Sequence, residues 1–349
     1  MHTSRVSSFA TRFFLAAVLA GCGESQPAIG GAGALPQDKM PPPATQNLYV
    51  INYGTVTVYK PGTDSPFLSI SEGINVPLRL TFDAKNNLYV GNTGSNTVSV
   101  YSKGSNVVLR TITKNVSYPV DVAADRTDSH LYVANAYKKV TIYKTKDGGY
   151  VSTLTKDVNY PDALAVDSSG NVYVANNPGS STGTVTVYAA GTNKLLLTIS
   201  DGIAYPIRLA LDSAGNLYVL NRIVNSKMNV SSVTEYAPGS TTPSRTITDG
   251  LSVPTEAAFD GSGNLYVANY GNSTVTVYAP GSSKVSRTIT SGLHQPQSLA
   301  FGPSGYLNVA NYGDTSFLGS VTEYAPGSGK VSRTIKDEID FPVFVAFGP

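Results

Sequence analysis

The sequence predicts an all-β fold, a seven-bladed β-propeller of four-stranded antiparallel blades closed by the C-terminal strand joining the N-terminal blade. Three observations carry this reading. A phrase ending in Val-x-Asn recurs seven times, its asparagines at Asn52, Asn92, Asn135, Asn176, Asn221, Asn269 and Asn311. Its spacing of 40 to 48 residues is the period of a stacked or radial repeat. The 303 residues from position 47 to position 349 divide by seven into units of blade size, about 43 residues each, and helical periodicity is absent throughout.

Each unit carries four strand signals in order. The first is led by proline, at Pro77, Pro119, Pro161, Pro206, Pro254, Pro296 and Pro342. The second is the Leu-Tyr-Val-x-Asn phrase. The third alternates apolar and polar residues up to a tyrosine, at Tyr59, Tyr101, Tyr143, Tyr188, Tyr236, Tyr278 and Tyr324. The fourth is an Arg-Thr-Ile type, with its arginine at Arg110, Arg245, Arg287 and Arg333.

The turns fit this order. Gly215, Gly263 and Asn86 stand where the first hairpin needs a positive φ. Pro61-Gly62, Pro238-Gly239, Pro280-Gly281 and Pro326-Gly327 fit the central positions of a type II turn after the third strand. The repeat opens on a second-strand phrase at Asn47 and finishes on a first-strand phrase beginning at Pro342. One blade is therefore shared between the two ends, which leaves no exposed sheet edge at the seam.

Residues 1–21 read as a signal peptide: Arg5 and Arg12 precede a short apolar stretch that is too short to span a bilayer. Leu19-Ala20-Gly21-Cys22 resembles the bacterial lipobox and implies cleavage before Cys22 with lipid on its thiol and amine. An ordinary secretory signal is the other reading. Cys22 is the only cysteine of the chain, so no internal disulfide is available. Residues 22–46 are rich in Gly, Ala and Pro and read as a flexible tether; residues 47–349 are the propeller. Removing Arg5 and Arg12 from 25 basic residues leaves 23 against 23 acidic ones. That balance gives no electrostatic drive toward nucleic acid.

The repeat resembles the NHL-type propeller repeat, whose relatives include gluconolactonase-like enzymes, streptogramin lyase and bacterial envelope propellers. The resemblance covers the whole propeller region and implies a fold more than an activity, because its motifs are blade-building residues. The chain departs from that pattern in carrying Asn, rather than Asp, at the end of all seven second strands.

The asparagine ring reads as strand-end capping, since a site for an asymmetric ligand should break the symmetry. The irregular positions are two residues after each inner-strand proline, where Arg79, Asp121, Ala163, Arg208, Glu256, Ser298 and Phe344 stand, with Asp162 and Gln297 one place earlier. The expected ligand-binding set is Arg79, Asp121, Asp162, Arg208, Glu256 and Gln297, lining a polar pocket at the channel mouth. The competing expectation is a closed ring in which Arg79 pairs with Asp121 and Arg208 with Glu256. Connections between second and third strands on the same face vary in length and carry Arg222, Met228, Phe317 and Leu318, which suits recognition of a protein or glycan.

No catalytic residue is assigned. His130 and His294 fall on opposite faces, and neither a phosphate loop nor a nucleophile elbow is present. The chain has no Trp for the docking expected of a quinoprotein propeller. A gluconolactonase-like site implies carboxylates around a divalent ion, for which Asp121, Asp162 and Glu256 are the available groups, opposed by two arginines. The sequence thus reads as a lipid-anchored, monomeric, non-catalytic binding or scaffolding module of a bacterial cell envelope, more in keeping with an outer than an inner membrane. It calls for no cofactor and no metal. The alternative is a metal-dependent lactonase or lyase with its site in the central channel.

Overall fold

Alternation of β-branched and polar residues drives each unit into short strands, and the ring follows from how those strands pair. The computed structural model describes residues 46–349 apart from 126, 128, 180–181, 226–227 and 314–318, and apart from the side chains of 223–230. The expected signal peptide, Cys22 and the expected tether up to residue 45 lie outside the described residues, as do Phe317, Leu318 and the side chain of Met228.

Seven sheets of four antiparallel strands are present. Blade 1 runs from the inside outward as Phe344–Gly348, Asn47–Ile51, Val56–Tyr59 and Leu68–Ile70. Its inner strand thus comes from the C-terminus, in the register Asn47↔Gly348 to Ile51↔Phe344. Blades 2 to 7 begin on the inner strands Pro77–Phe82, Pro119–Ala124, Pro161–Val166, Pro206–Leu211, Pro254–Phe259 and Pro296–Phe301 and proceed outward in chain order. Inner strands begin and second strands end on one face, called the mouth face below. The tight first-to-second and third-to-fourth turns lie on the other.

Seven hydrophobic clusters, one at each boundary between neighbouring blades, make up the core. The one across the seam joins Leu48, Val50 and Phe347 of blade 1 to Ala310, Val321 and Ile335 of blade 7. Each blade buries both faces, so burial of apolar surface at every boundary holds the ring together.

Two polar devices repeat at every blade. The third-strand tyrosine donates its hydroxyl to a carbonyl of the loop entering its own blade: Tyr101 to Glu72 O at 2.5 Å, Tyr143 to Lys114 O at 2.6 Å, Tyr278 to Asp249 O at 2.5 Å and, across the seam, Tyr59 to Asp337 O at 2.5 Å. The second-strand asparagine accepts, through Oδ1, a backbone N–H two residues ahead of the inner-strand proline, from Ser117 at 2.7 Å to Asp340 at 3.2 Å. Its Nδ2 donates to a third-strand hydroxyl, as Asn269 does to Thr276 at 3.1 Å. A carboxylate only accepts, which explains why Asn stands at all seven places.

The residue before each of these prolines is held in the left-handed region: Val76, Tyr118, Tyr160, Tyr205, Val253, Gln295 and Phe341, with φ between 46° and 54°. For β-branched Val76 and Val253 this is a strained conformation. It persists because the asparagine fixes one side of the loop, while the carbonyl of the strained residue accepts an N–H from the end of the second strand, as Val253 O does from Tyr270.

One departure from the sequence reading appears. The connection after Asn221 is not a loop: the strands Leu217–Asn225 and Met228–Tyr236 pair as far as Asn225↔Met228, so the hairpin continues beyond the mouth face. Within the extension Ile223 pairs with Val230 and Val224 with Asn229. In blade 7, Gly302 and Asn308 replace the aspartate and tyrosine that face each other in blade 2, where Tyr89 Oη donates to Asp83 Oδ2 at 2.9 Å. The ring of Phe347 fills the space, so that a Cβ on Gly302 would sit 3.0 Å from Phe347 Cζ.

Candidate functional site

Proline at the head of the inner strand sets a bulge in blades 2 to 7: Pro77 pairs with Asn92 and Arg79 with Gly91, and the same shift recurs at Asp121, Arg208 and Glu256. The bulge turns the second residue after the proline toward the axis. Arg79, Asp121, Arg208 and Glu256 are thereby gathered inside the channel, and all four are buried, at no more than 2% exposure. They form a buried plug of two basic and two acidic side chains and not the open lining of a pocket.

The plug is tied to the strands around it. Asp121 accepts the backbone N–H groups of Val122 and Leu164, each at 2.8 Å. Arg79 donates to Leu78 O at 2.7 Å and lies over the ring of Phe344, 4.9 Å from its centroid. Arg208 donates to Ile207 O at 2.5 Å. Glu256 accepts from Ala257 N and from the Ser298 hydroxyl, both at 3.2 Å, and Ser298 in turn accepts from Val345 N of blade 1. Burial pushes the Asp121 carboxyl up to about 7 against the pull of Arg79 and Arg208. It raises Glu256 well above the usual carboxylate range and lowers Arg208. Gln297 is buried beside Ser298, and its Oε1 accepts no hydrogen bond.

Asp162 is the member of the expected set that stays partly exposed. It accepts from Asn177 Nδ2 at 2.6 Å. Arg222, within the second strand of blade 5, lies within electrostatic reach of Asp162 and Tyr270, and burial lowers it to about 10. The structure therefore brings Asp162, Asn177 and Arg222 together above the plug, a group that joins one of the expected site residues to two outside that set.

Around this centre stands a collar of aromatic rings that the charge-based reading missed. Tyr118, Tyr160, Tyr205 and Phe341 occupy the strained positions before proline, and Tyr53, Tyr137, Tyr270 and Tyr312 follow the second-strand asparagines within two residues. Tyr137 meets Tyr160 edge-on with centroids 6.4 Å apart, and Tyr312 meets Phe341 at 5.3 Å. Tyr53 and Tyr137 protrude, at 55% and 52% exposure, while the other rings are half-buried. Burial raises the Tyr312 hydroxyl, with Tyr270 and Tyr53 close enough to add to the shift. The signal was present in the sequence as the pairs Tyr118-Pro119, Tyr160-Pro161, Tyr205-Pro206, Asn52-Tyr53, Asn269-Tyr270 and Asn311-Tyr312.

The opposite face carries a groove of about 670 Å³ between blades 6 and 7, lined in part by Tyr266, Arg287 and Phe301. Its arginine is engaged by the scaffold, donating to Gly327 O and to the Tyr266 hydroxyl. In blade 3, on the far side of the ring from this groove, His130 Nδ1 meets Asp125 Oδ2 at 2.9 Å, and His294 lies on the mouth face. Among the described residues no group of three or more His, Cys, Asp or Glu side chains is placed to hold a metal ion.

These features define a propeller with a plugged channel and aromatic rings on its mouth face. No protein-family model matches the chain. No curated protein matches it either. Among solved structures, the chain is similar to the Kuenenia stuttgartiensis hydrazine synthase, with 16% identity and a TM-score of 0.62 over 76% of this chain and 80% of that one. At that identity the likeness speaks to the propeller fold alone.

Proposed function

We propose that this protein is a non-catalytic recognition module that binds its ligand at the channel mouth, around Asp162, Asn177 and Arg222. The observation that carries the reading is the collar: seven of the 22 tyrosines of the chain stand on this one face, clear of the blade-building positions. Half-buried rings around a few convergent polar groups are the usual make-up of a ligand site. The rigid ring beneath holds them in place, and the plug closes the floor, so a ligand rests across the mouth instead of threading the axis.

The same proposal places the protein in a bacterial envelope, held by lipid on Cys22 through the 22–46 tether, with an outer membrane as its site. The Leu-Ala-Gly-Cys sequence supports the anchor. The strand Asn47–Ile51 runs toward the mouth and begins on the other face, which supports a mouth that points away from the anchored surface. The NHL-type resemblance of the repeat belongs to this reading.

Capture from envelope extract tests the recognition claim. Immobilised full chain should retain material that Asp162→Asn and Arg222→Gln variants release, and equal retention by all three contradicts it. Labelled fatty acid should enter the full chain and not its Cys22→Ser variant.

A further inference from the structure

We infer that the ligand of the mouth is a neutral saccharide, seated on the tyrosine collar and hydrogen-bonded by Asp162, Asn177 and Arg222; this rests on the mouth being the recognition face. A pyranose ring offers two kinds of surface. Its faces carry C–H groups that pack on aromatic rings, and its edge carries hydroxyls that both donate and accept. The mouth presents the matching pair. Tyr137 and Tyr160 stand edge to face at 6.4 Å and expose ring surface. Beside them, the Asp162 carboxylate accepts, the Arg222 guanidinium donates, and the Asn177 amide does both.

The opposite charges at the centre of the site favour an uncharged ligand. Asp162 and Arg222 balance one another, so neither an anion nor a cation finds a net opposite charge. A phosphate or acidic glycan would meet the Asp162 carboxylate, and a metal ion would meet the Arg222 guanidinium. Tyr53 and Tyr137 are the most exposed rings of the collar, and the others are half-buried. A sugar chain can lie across these rings with its C–H faces on them. The buried plug gives it a closed floor, and the hydroxyls of Tyr53, Tyr270 and Tyr312, gathered on one side of the mouth, extend the polar rim along which further sugar units lie.

The test is an array of neutral oligosaccharides, comprising α- and β-glucans, mannans, galactans and chito-oligosaccharides, probed with the labelled full chain. The strongest binder is then titrated by calorimetry and by tyrosine emission, which no tryptophan obscures because the chain has none. We expect at least one neutral oligosaccharide to bind. Tyr137→Ala and Tyr160→Ala should each weaken it about five- to tenfold, and Thr241→Ala on the opposite face should leave it unchanged. Tyr137 is half exposed, so its truncation leaves the fold intact, and matching urea midpoints verify this for each variant. A blank array, binding equal in all variants, or binding confined to charged glycans and lost in salt overturns the inference. If the array is blank while Arg222→Gln still abolishes capture from envelope extract, the saccharide assignment fails and the mouth stands. If capture is also unchanged, both fail.

Discussion

Asn269 Oδ1 accepts the backbone N–H of Ser252 at 3.0 Å, and this bond helps hold the next residue, Val253, at a φ of 48°. Replacing Asn269 by Asp keeps the acceptor and removes the donor that serves Thr274, Thr276 and Val267 O. It also puts a carboxylate where nothing is exposed to water. The expected cost is about 2–4 kcal/mol, read as a lower urea midpoint with an unchanged slope. A midpoint within experimental error of the parent contradicts the clamp.

The channel plug makes a second prediction. Removing one partner from a buried charge pair leaves an uncompensated charge, whereas replacing both by apolar groups of similar size is close to neutral. Arg208→Met and Glu256→Leu should each destabilise the ring by about 3–5 kcal/mol, and the double variant should be more stable than either. Additive losses in the double-mutant cycle would show that the two charges do not depend on each other.

Burial raises the third-strand tyrosines Tyr59, Tyr101, Tyr278 and Tyr324 from 10.0 to about 12. A group whose folded pKa lies above its unfolded value stabilises the fold fully below the unfolded pKa and loses that contribution as pH rises through the folded one. Stability should therefore be flat up to about pH 10 and fall between pH 10 and 12. Phenolate absorbance from these residues should appear together with the loss of circular dichroism. A large phenolate signal while the β-sheet spectrum persists contradicts the buried hydroxyl-to-carbonyl bonds.

The seam predicts the effect of a single added methyl group. A Cβ on Gly348 would lie 2.3 Å from Phe82 Cζ, where blade 1 meets blade 2. Gly348→Ala should cost about 1–3 kcal/mol through forced repacking. Deletion of 344–349, which removes the inner strand of blade 1 altogether, should prevent cooperative unfolding of a closed ring. A deletion variant that melts like the parent contradicts closure by the C-terminal strand.

Most of the fold was legible because the repeat writes each constraint seven times: the proline, the asparagine and the third-strand tyrosine each keep one structural job in every blade. The site was less legible. Charge at Arg79, Asp121, Arg208 and Glu256 drew attention to the channel, but whether a channel charge faces water depends on how closely seven inner strands approach, and a local pattern does not carry that distance. The collar was missed for the opposite reason. Tyr118 and Tyr160 look like ordinary residues before proline, and their meeting with Tyr137 and its neighbours exists only once adjacent blades are set side by side. Blade 7 shows the same limit: Gly302 and Asn308 look like unrelated losses until Phe347 of blade 1 is found over the glycine.

The most direct measurement places a photoreactive benzophenone side chain at Tyr137 on the mouth and, separately, at Thr241 on the opposite face of the full chain, followed by irradiation in envelope extract. Recognition at the mouth predicts a discrete adduct from position 137 that Arg222→Gln abolishes, and none from position 241. An adduct from position 241 alone, or one from position 137 that survives Arg222→Gln, contradicts it.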